Sequence, residues 1–305
     1  MQLLYLLEKI RVPGLNEFML AITTLGEETA FLVVAIVLFW CVDKRRGYYV
    51  MSVGFIGTIA NQFLKLLFRV PRPWILDENF TILEQAREAA SGYSFPSGHS
   101  QTAVGTFGSI AHTAKNKWIK IACILIAVLV PFSRMYVGVH TPYDVVVGAG
   151  MALILIFALG PVFYKNDGKH IPKLLAVMTA LSVAYLCYVE LFPFPAEVDA
   201  ANLTSGTKNA YTLIGCLAAL LIVYFADEKW LRFPTEAVWW AQIMKAVLGL
   251  AVVLLVKEGM RTPLDAIFGG HMIARSVRYF LVVLAAGLIW PMTFRWFGKL
   301  GKKEK

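Results

Sequence analysis

Charged side chains are scarce in this sequence, since Asp, Glu, Lys and Arg together make up only 16% of its 305 residues. Soluble globular domains carry about 25% charged residues. Hydrophobic residues make up 58% and are gathered in long runs rather than spread evenly. These properties indicate an integral membrane protein. We therefore predict an all-α fold, a polytopic bundle of transmembrane helices.

Metal-ligand patterns are also missing. The four cysteines lie inside apolar runs and show no CxxC pairing, which favours neither a disulfide framework nor a metal site: Cys41, Cys123, Cys187 and Cys216. The sequence has no carboxylate-rich cluster suited to magnesium and no His/Cys set suited to zinc. We therefore predict that the protein uses no metal and no other cofactor.

Nine hydrophobic runs approach the roughly 20 residues that a helix needs to span a bilayer. They are 27–42, 48–68, 99–114, 118–133, 142–164, 174–192, 208–226, 236–256 and 276–297. The first 11 residues are too short and too charged to span, and no signal-peptide cleavage pattern follows them. We expect an amphipathic helix at the membrane surface there.

Basic residues are concentrated in alternate connections between these runs, which predicts the orientation of the chain. Lys and Arg clusters occupy 43–47, 115–120, 165–173, 227–235 and the closing Gly-Lys-Lys-Glu-Lys. The positive-inside rule puts these segments in the cytoplasm and the N-terminus outside. The same rule explains the net charge of +9 without a nucleic-acid partner. Loop 257–275 disagrees, because it is predicted outside yet contains Lys257, Arg261 and Arg275.

The connection 193–207 contains no basic residue and begins within the Phe-Pro-Phe-Pro stretch of residues 192–195. It is the predicted boundary between a catalytic bundle, residues 1–192, and a C-terminal transmembrane extension of unknown role, residues 193–305. No internal repeat or low-complexity segment is evident.

Ionisable residues at membrane depth are costly and are therefore functional candidates. The first cluster closes the second run, where Lys65 and Arg72 are seven residues apart, two helical turns, and can share a face. Pro71 and Pro73 are expected to end the helix there. The alternative is a basic rim whose side chains reach the membrane surface.

The second cluster, Tyr93-Ser-Phe-Pro-Ser97-Gly98-His99-Ser100, opens the third run. A turn of this kind before a helix offers backbone N–H groups and the positive end of the helix to an anion. Gly98 lets an oxyanion approach the backbone closely, and His99 is placed to protonate a leaving oxygen. The alternative is a capped helix start with an incidental histidine.

The third cluster runs from Ser133-Arg134 through His140 to Asp144. Asp144 lies four residues after His140, so its carboxylate can reach one imidazole nitrogen and leave the other as a nucleophile. The Arg134 guanidinium can donate a bidentate pair of hydrogen bonds to a phosphate. The alternative role for Asp144 is a helix cap. Taken together, the three clusters predict metal-free phosphoryl transfer on the outer membrane face.

These three motifs resemble the signature of the type-2 phosphatidic acid phosphatase superfamily, which also includes glucose-6-phosphatase and vanadium haloperoxidases. The resemblance covers roughly residues 20–165. It implies a phosphohistidine at His140, Asp144 as its partner and His99 as the general acid. It also implies that Lys65, Arg72, Ser97, Gly98 and Arg134 bind the phosphate.

The resemblance implies a phosphatase acting on a membrane lipid such as undecaprenyl diphosphate, phosphatidic acid or phosphatidylglycerophosphate, in a bacterial cell membrane. Several alternatives stay open. The predicted nine spans, with the N-terminus outside and the C-terminus in the cytoplasm, resemble the topology of glucose-6-phosphatase. A soluble sugar phosphate is therefore one alternative substrate. Phosphotransfer to a lipid acceptor would use the same residues, and a lipid-binding or transport protein with an inactive site belongs to a different class.

Overall fold

The computed structural model describes residues 1–300, with the backbone alone at position 166. This part of the chain is helical and contains no β-strand, which confirms the predicted all-α class. The closing basic cluster, residues 301–305, lies outside the described residues.

The α-helices run in chain order. They are α1 Gln2–Lys9, α2 Pro13–Thr24, α3 Glu28–Cys41, α4 Lys44–Phe68, α5 Pro73–Leu76, α6 Gly98–Thr113, α7 Lys117–Tyr136, α8 Pro142–Tyr164, α9 Ile171–Leu191, α10 Ala200–Ala226, α11 Trp239–Gly259, α12 Arg261–Ile267, α13 Ile273–Leu284 and α14 Phe294–Phe297. Short 3-10 or π segments are Glu84–Ala86, Asn166–Gly168, Asp227–Leu231, Ala285–Ile289 and Trp290–Thr293.

Among residues 1–300, seven helical segments are long and apolar enough to cross a membrane. They coincide with seven of the nine predicted runs: Lys44–Leu76, Lys117–Tyr136, Pro142–Tyr164, Ile171–Leu191, Ala200–Leu231, Trp239–Ile267 and Ile273–Phe297. The first predicted run belongs to a pair, α2 and α3, bent by 53°, which would make an eighth span. The third predicted run, 99–114, corresponds to α6. Its 16 residues extend only about 24 Å along the helix axis, at 1.5 Å per residue. The total of nine spans stays a prediction.

Large apolar side chains are exposed along the middle of these helices. On α7 they include Leu125 and Val128, and on α8 Ile154 and Phe157. Such contiguous apolar surface is unfavourable in water and suits contact with lipid tails. The protein is an integral membrane protein.

The chain folds into two compact units. The first comprises Met1–Val34, Tyr49–Pro161 and Phe192–Gly206, and the second comprises Ala35–Tyr48, Val162–Leu191 and Thr207–Lys305. The division at 192/193 drawn from the sequence stays a prediction.

Helix α6 is the central element of the first unit. Ala103 and Phe107 of α6 pack with Cys123 and Val130 of α7 in one buried cluster. Only three residues separate the end of α6 from the start of α7, so the two helices run antiparallel. The start of α6 therefore lies at the same end of the unit as the end of α7. The second and third sequence motifs meet there.

Candidate active site

His140 occupies the last turn before α8 and is 1% exposed. Its Nδ1 atom lies 3.4 Å from Asp144 Oδ2, as the spacing of four residues predicts. Asp144 Oδ2 also accepts a hydrogen bond of 2.7 Å from the backbone amide of Thr141. The carboxylate is thus held at the N-terminus of α8, where both the imidazole and the helix end favour a negative charge.

Ser94 is a site residue that the sequence analysis did not single out. Its hydroxyl donates a 2.6 Å hydrogen bond to Asp144 Oδ2 and lies 3.5 Å from His140 Nδ1. Ser94 is fully buried, and its own amide donates to Val70 O at 2.8 Å. Its position two residues before Pro96 was visible in the sequence, but nothing local distinguishes a buried serine from an ordinary turn residue.

Arg72 lies beside the other imidazole nitrogen, with its Nη1 atom 2.9 Å from His140 Nε2. The same guanidinium donates to the carbonyl oxygens of Ser91, Gly92 and Val139 at 2.8–3.0 Å. These bonds occupy most of its five N–H donors. Arg72 therefore ties two loops together around His140 and has little donor capacity left for a bidentate phosphate contact.

Lys65 is buried at the end of α4 and donates a hydrogen bond to the carbonyl oxygen of Tyr93. The helix ends at Phe68, and Arg69 has a positive φ of 52°. The chain thus leaves the helix before Pro71, so this turn redirects it toward Arg72. Both cations of the first motif lie in the pocket.

Arg134 is completely buried near the end of α7. Its Nη1 atom donates to Thr23 Oγ1 at 2.8 Å, a partner that sequence reasoning did not find. Its Nε and Nη2 atoms have no hydrogen-bond partner in the described part of the chain, and neither does His99 Nε2. A buried polar group without a partner costs about 1–3 kcal/mol, so the two Arg134 donors are ready to bind an added acceptor and His99 Nε2 is open to a further polar contact.

The Pro96-Ser97-Gly98-His99 turn is joined directly to the third motif. The Ser97 amide donates to the carbonyl oxygen of Asp144 at 2.9 Å, so it is not free for an anion as expected. The Ser97 side chain caps α6 by accepting from Ser100 N at 3.3 Å. Gly98 begins the helix, and a Cβ there would lie 3.6 Å from Asn61 Oδ1, an ordinary contact distance.

The pocket has a strong excess of positive charge. Lys65, Arg72 and Arg134 are at most 6% exposed, and Asp144 is the one buried carboxylate of the described first unit. Burial lowers the pKa of His140 well below the usual value of 6.5, and the nearby Arg72 and Arg134 lower that pKa further. A neutral imidazole among buried cations can act as a nucleophile toward an anionic group.

Among residues 1–300, no group of three or more His, Cys, Asp or Glu side chains is arranged to hold a metal ion. The donors in the pocket are cationic or neutral, a set that suits phosphate rather than a divalent cation. Metal independence itself stays a prediction.

Comparison with known proteins gives the family. Residues 45–168 match the PAP2 superfamily, and residues 211–303 match a transmembrane extension described for PAP2 superfamily phosphatases. The chain is 32% identical to phosphatidylglycerophosphatase B of Bacillus subtilis over 48% of this chain and 75% of that protein. It is 32% identical to an undecaprenyl-diphosphatase of the same species, over 42% of this chain and 64% of that protein.

A third relative, an undecaprenyl-diphosphatase of Sulfolobus acidocaldarius, is 30% identical over 48% of this chain and 70% of that protein. No solved structure matches the chain. The chain belongs to the PAP2 superfamily, as its three motifs predicted. It is a membrane phosphatase.

Proposed function

We propose that this chain hydrolyses a phosphomonoester or diphosphate of a membrane lipid through a phosphohistidine formed at His140. The observation that carries the proposal is the environment of that side chain. Its Nδ1 atom faces Asp144 and its Nε2 atom faces Arg72, inside a buried pocket rich in cations. The lipid substrate class is supported by the named relatives, which are a phosphatidylglycerophosphatase and undecaprenyl-diphosphatases.

The first step forms a bond between His140 Nε2 and phosphorus while the bond from phosphorus to the leaving oxygen breaks. Asp144 holds the proton on Nδ1, so Nε2 carries the lone pair. That lone pair accepts from Arg72 Nη1 in this structure and attacks phosphorus once the bound phosphate takes over the Arg72 donor. His99 is protonated when the anionic substrate enters and offsets the positive charge of the pocket, and it gives that proton to the leaving oxygen. Arg134 Nε and Nη2, which have no partner in residues 1–300, bind the equatorial oxygens and stabilise their charge.

The second step transfers the phosphoryl group to water. His99, now neutral, accepts a proton from the attacking water, and the bond from Nε2 to phosphorus breaks to release inorganic phosphate. His140 returns to its neutral form, so the cycle balances without metal or redox chemistry. Lys65, Ser97 and Gly98 complete the proposed phosphate site, with Lys65 and Arg72 also fixing the loops that carry it.

We also propose that this pocket opens on the extracytoplasmic side of a bacterial membrane. The support is the distribution of Lys and Arg over the connecting loops. A Glu88→Cys variant tests it, because Glu88 is exposed in the segment between the first two motifs. A membrane-impermeant thiol reagent should label this variant in intact cells. Labelling only after the cells are broken would reverse the orientation.

The substrate is tested with purified protein in detergent and a panel of phosphate compounds. The panel contains short-chain phosphatidic acid, phosphatidylglycerophosphate, undecaprenyl diphosphate and glucose 6-phosphate, and released inorganic phosphate is measured. We expect turnover of lipid phosphates, loss of turnover in His140→Ala, and normal turnover in the control His170→Ala, whose side chain is exposed.

Two results would count against the proposal. Hydrolysis of glucose 6-phosphate with no lipid hydrolysis would favour the sugar-phosphate alternative. Loss of activity with EDTA and its recovery with magnesium would contradict the metal-free mechanism.

A further inference from the structure

The N-terminal helix α1 packs against the connection between the first two sequence motifs, within the first compact unit. Tyr5 of α1 donates a 2.8 Å hydrogen bond to Asp77 Oδ2. The Tyr5 ring also makes an edge contact with the Phe80 ring, with 5.5 Å between their centres. Leu4 is fully buried in a cluster with Phe80 and Ile82. Helix α1 is therefore docked on this connection by both polar and apolar contacts.

Arg11, two residues after α1, joins the same connection to the end of α7 through one guanidinium group. Its Nη1 atom donates to the carbonyl oxygen of Thr81 at 2.8 Å, and its Nε atom donates to that of Tyr136 at 3.0 Å. Tyr136 is the last residue of α7, so its carbonyl oxygen has no partner within that helix. A cation there is also favoured by the helix dipole.

The turn that leads from α7 to His140 packs directly on this guanidinium. Gly138, two residues before His140, has a positive φ of 89°, which glycine adopts without strain. A Cβ atom on Gly138 would lie only 2.8 Å from Arg11 Nη2, so no side chain separates the turn from Arg11. The next carbonyl oxygen, that of Val139, accepts a 3.0 Å hydrogen bond from Arg72 Nη1. The segment that ends in His140 is thus held between two arginines.

Arg11 lies outside the part of the chain that matches the family, residues 45–168. The sequence predicts only an interfacial helix for this region, and the exposed Leu3 and Leu6 side chains of α1 suit a place at the membrane surface. The contacts of Arg11 with Thr81 and Tyr136 join residues 70 and 125 positions apart. They connect the N-terminal region to the turn that carries His140.

We propose that Arg11 is a positioning residue for phosphoryl transfer. It fixes the end of α7 and the turn at Gly138, and through them the direction in which the His140 imidazole faces Arg72 and the bound phosphate. Arg11 acts through this turn and not on the substrate itself. The proposal rests on the phosphohistidine mechanism, because it requires that the position of His140 sets the rate of attack on phosphorus.

The test is a single-turnover experiment with the full-length protein in detergent micelles, in excess over a phosphorus-32-labelled lipid phosphate. The protein concentration is raised until the rate constant for substrate consumption no longer increases. Partial unfolding lowers the number of active sites but not this saturated rate constant, whereas a misplaced His140 lowers the rate constant itself. The phosphorus-32 label on His140 is measured in the same samples.

Arg11→Ala should lower the saturated rate constant about tenfold or more, because a small displacement of a reacting group slows the chemical step strongly. Guanidinium ion at a low, non-denaturing concentration should restore part of the rate, since Arg11 is only partly buried, and sodium ion at equal ionic strength should not. Arg11→Lys keeps the charge but lacks the planar fork that reaches both carbonyl oxygens. Its rate constant should lie between those of Arg11→Ala and the wild type, and this milder change provides the test if Arg11→Ala does not fold.

Two control variants separate Arg11 from the rest of the N-terminal region. Lys9→Ala removes a cation from an exposed side chain two residues away, and Tyr5→Phe removes a different anchor of α1. Both should keep the saturated rate constant of the wild type. A fall in Tyr5→Phe equal to that in Arg11→Ala would overturn the proposal, because docking of α1 as a whole would then explain the effect.

The label on His140 shows which claim has failed if the result is negative. Wild-type rate constants in both Arg11 variants, with the label still on His140, would overturn the positioning role and leave the phosphohistidine mechanism intact. Absence of the label from the wild type would overturn that mechanism, and the positioning role with it.

Discussion

The Ser94 hydroxyl donates a 2.6 Å hydrogen bond to Asp144 Oδ2, on the carboxylate that faces the imidazole of His140. Ser94 belongs to the loop before α6, whereas Asp144 lies in the first turn of α8. The bond therefore joins two of the three sequence motifs at the point where they meet. It fixes the carboxylate that we propose to hold the His140 proton.

Ser94→Ala should lower kcat by about tenfold or more while changing KM little. A hydrogen bond to a charged group contributes about 1.5–3 kcal/mol, and its loss frees Asp144 to rotate away from His140. The matched control is Ser91→Ala, because Ser91 contacts Arg72 only through its backbone oxygen and its side chain is exposed. Steady-state kinetics measure kcat and KM of both variants. Equal kcat values would show that Ser94 does not position the carboxylate.

Gly148→Ala should reduce both stability and activity, because α8 approaches the Ser97 backbone there. A Cβ on Gly148 would lie 2.5 Å from the Ser97 carbonyl oxygen, which is closer than real contacts allow. Moving the turn to relieve this overlap costs about 1–3 kcal/mol and displaces Gly98 and His99.

Gly150→Ala, on the same helix, is the control, because nothing lies within 4 Å of its added Cβ. Unfolding midpoints and phosphate release should fall for Gly148→Ala and stay level or rise slightly for Gly150→Ala. Similar behaviour of the two variants would contradict the close approach of α8 to the turn.

Arg134→Lys should weaken phosphate binding while preserving the positive charge. A lysine cannot reproduce the planar pair of donors, Nε and Nη2, that Arg134 has available. We expect the inhibition constant of inorganic phosphate to rise about tenfold, as for loss of one charge-assisted hydrogen bond.

Arg87→Lys is the control for the same substitution, because Arg87 forms a surface ion pair with Glu84. Inhibition by phosphate should be unchanged in that variant. An unchanged inhibition constant in Arg134→Lys would mean that Arg134 does not bind the phosphate.

Acidification should destabilise the protein through His140. Burial and the adjacent cations lower the pKa of His140 in the folded state, whereas the unfolded chain has a value of about 6.5. The folded form then binds fewer protons, so the contribution of His140 to stability is present above pH 6.5 and is lost below it. Between pH 7.5 and pH 5.5 the loss is up to about 1.4 kcal/mol.

The readout is the fall in Tm over that pH interval, compared between the wild type and His140→Gln, which cannot titrate. The Tm of the wild type should fall further over this interval than the Tm of His140→Gln. An equal fall in both proteins would mean that His140 keeps an ordinary pKa in the folded state.

Sequence reasoning predicted much of this architecture because the bilayer imposes long apolar runs, and seven of them became helices of spanning length. It could not predict the 53° bend between α2 and α3 or the short α6. Those features depend on packing within the first unit, where α6 is buried along most of its length. Hydrophobicity alone does not separate a buried helix from one that faces lipid.

The same limit applies to the site. The spacing of His140 and Asp144 on one chain segment predicted their contact, although His140 lies in the turn before α8 and Asp144 reaches it from the first turn of that helix. The contacts of Ser94 with Asp144 and of Arg134 with Thr23 join residues 50 and 111 positions apart. No local pattern encodes such pairs. Arg72 likewise had an evident charge, but its bonds to three backbone carbonyls depend on the fold.

Trapping the covalent intermediate tests the central claim most directly. Protein mixed with a phosphorus-32-labelled lipid phosphate is quenched in base, where phosphohistidine survives, and the labelled peptide is located by mass spectrometry. We predict an acid-labile phosphoryl group on His140, absent from His140→Ala, which also releases no phosphate. Turnover without label on His140, or phosphate release retained in His140→Ala, would contradict this mechanism.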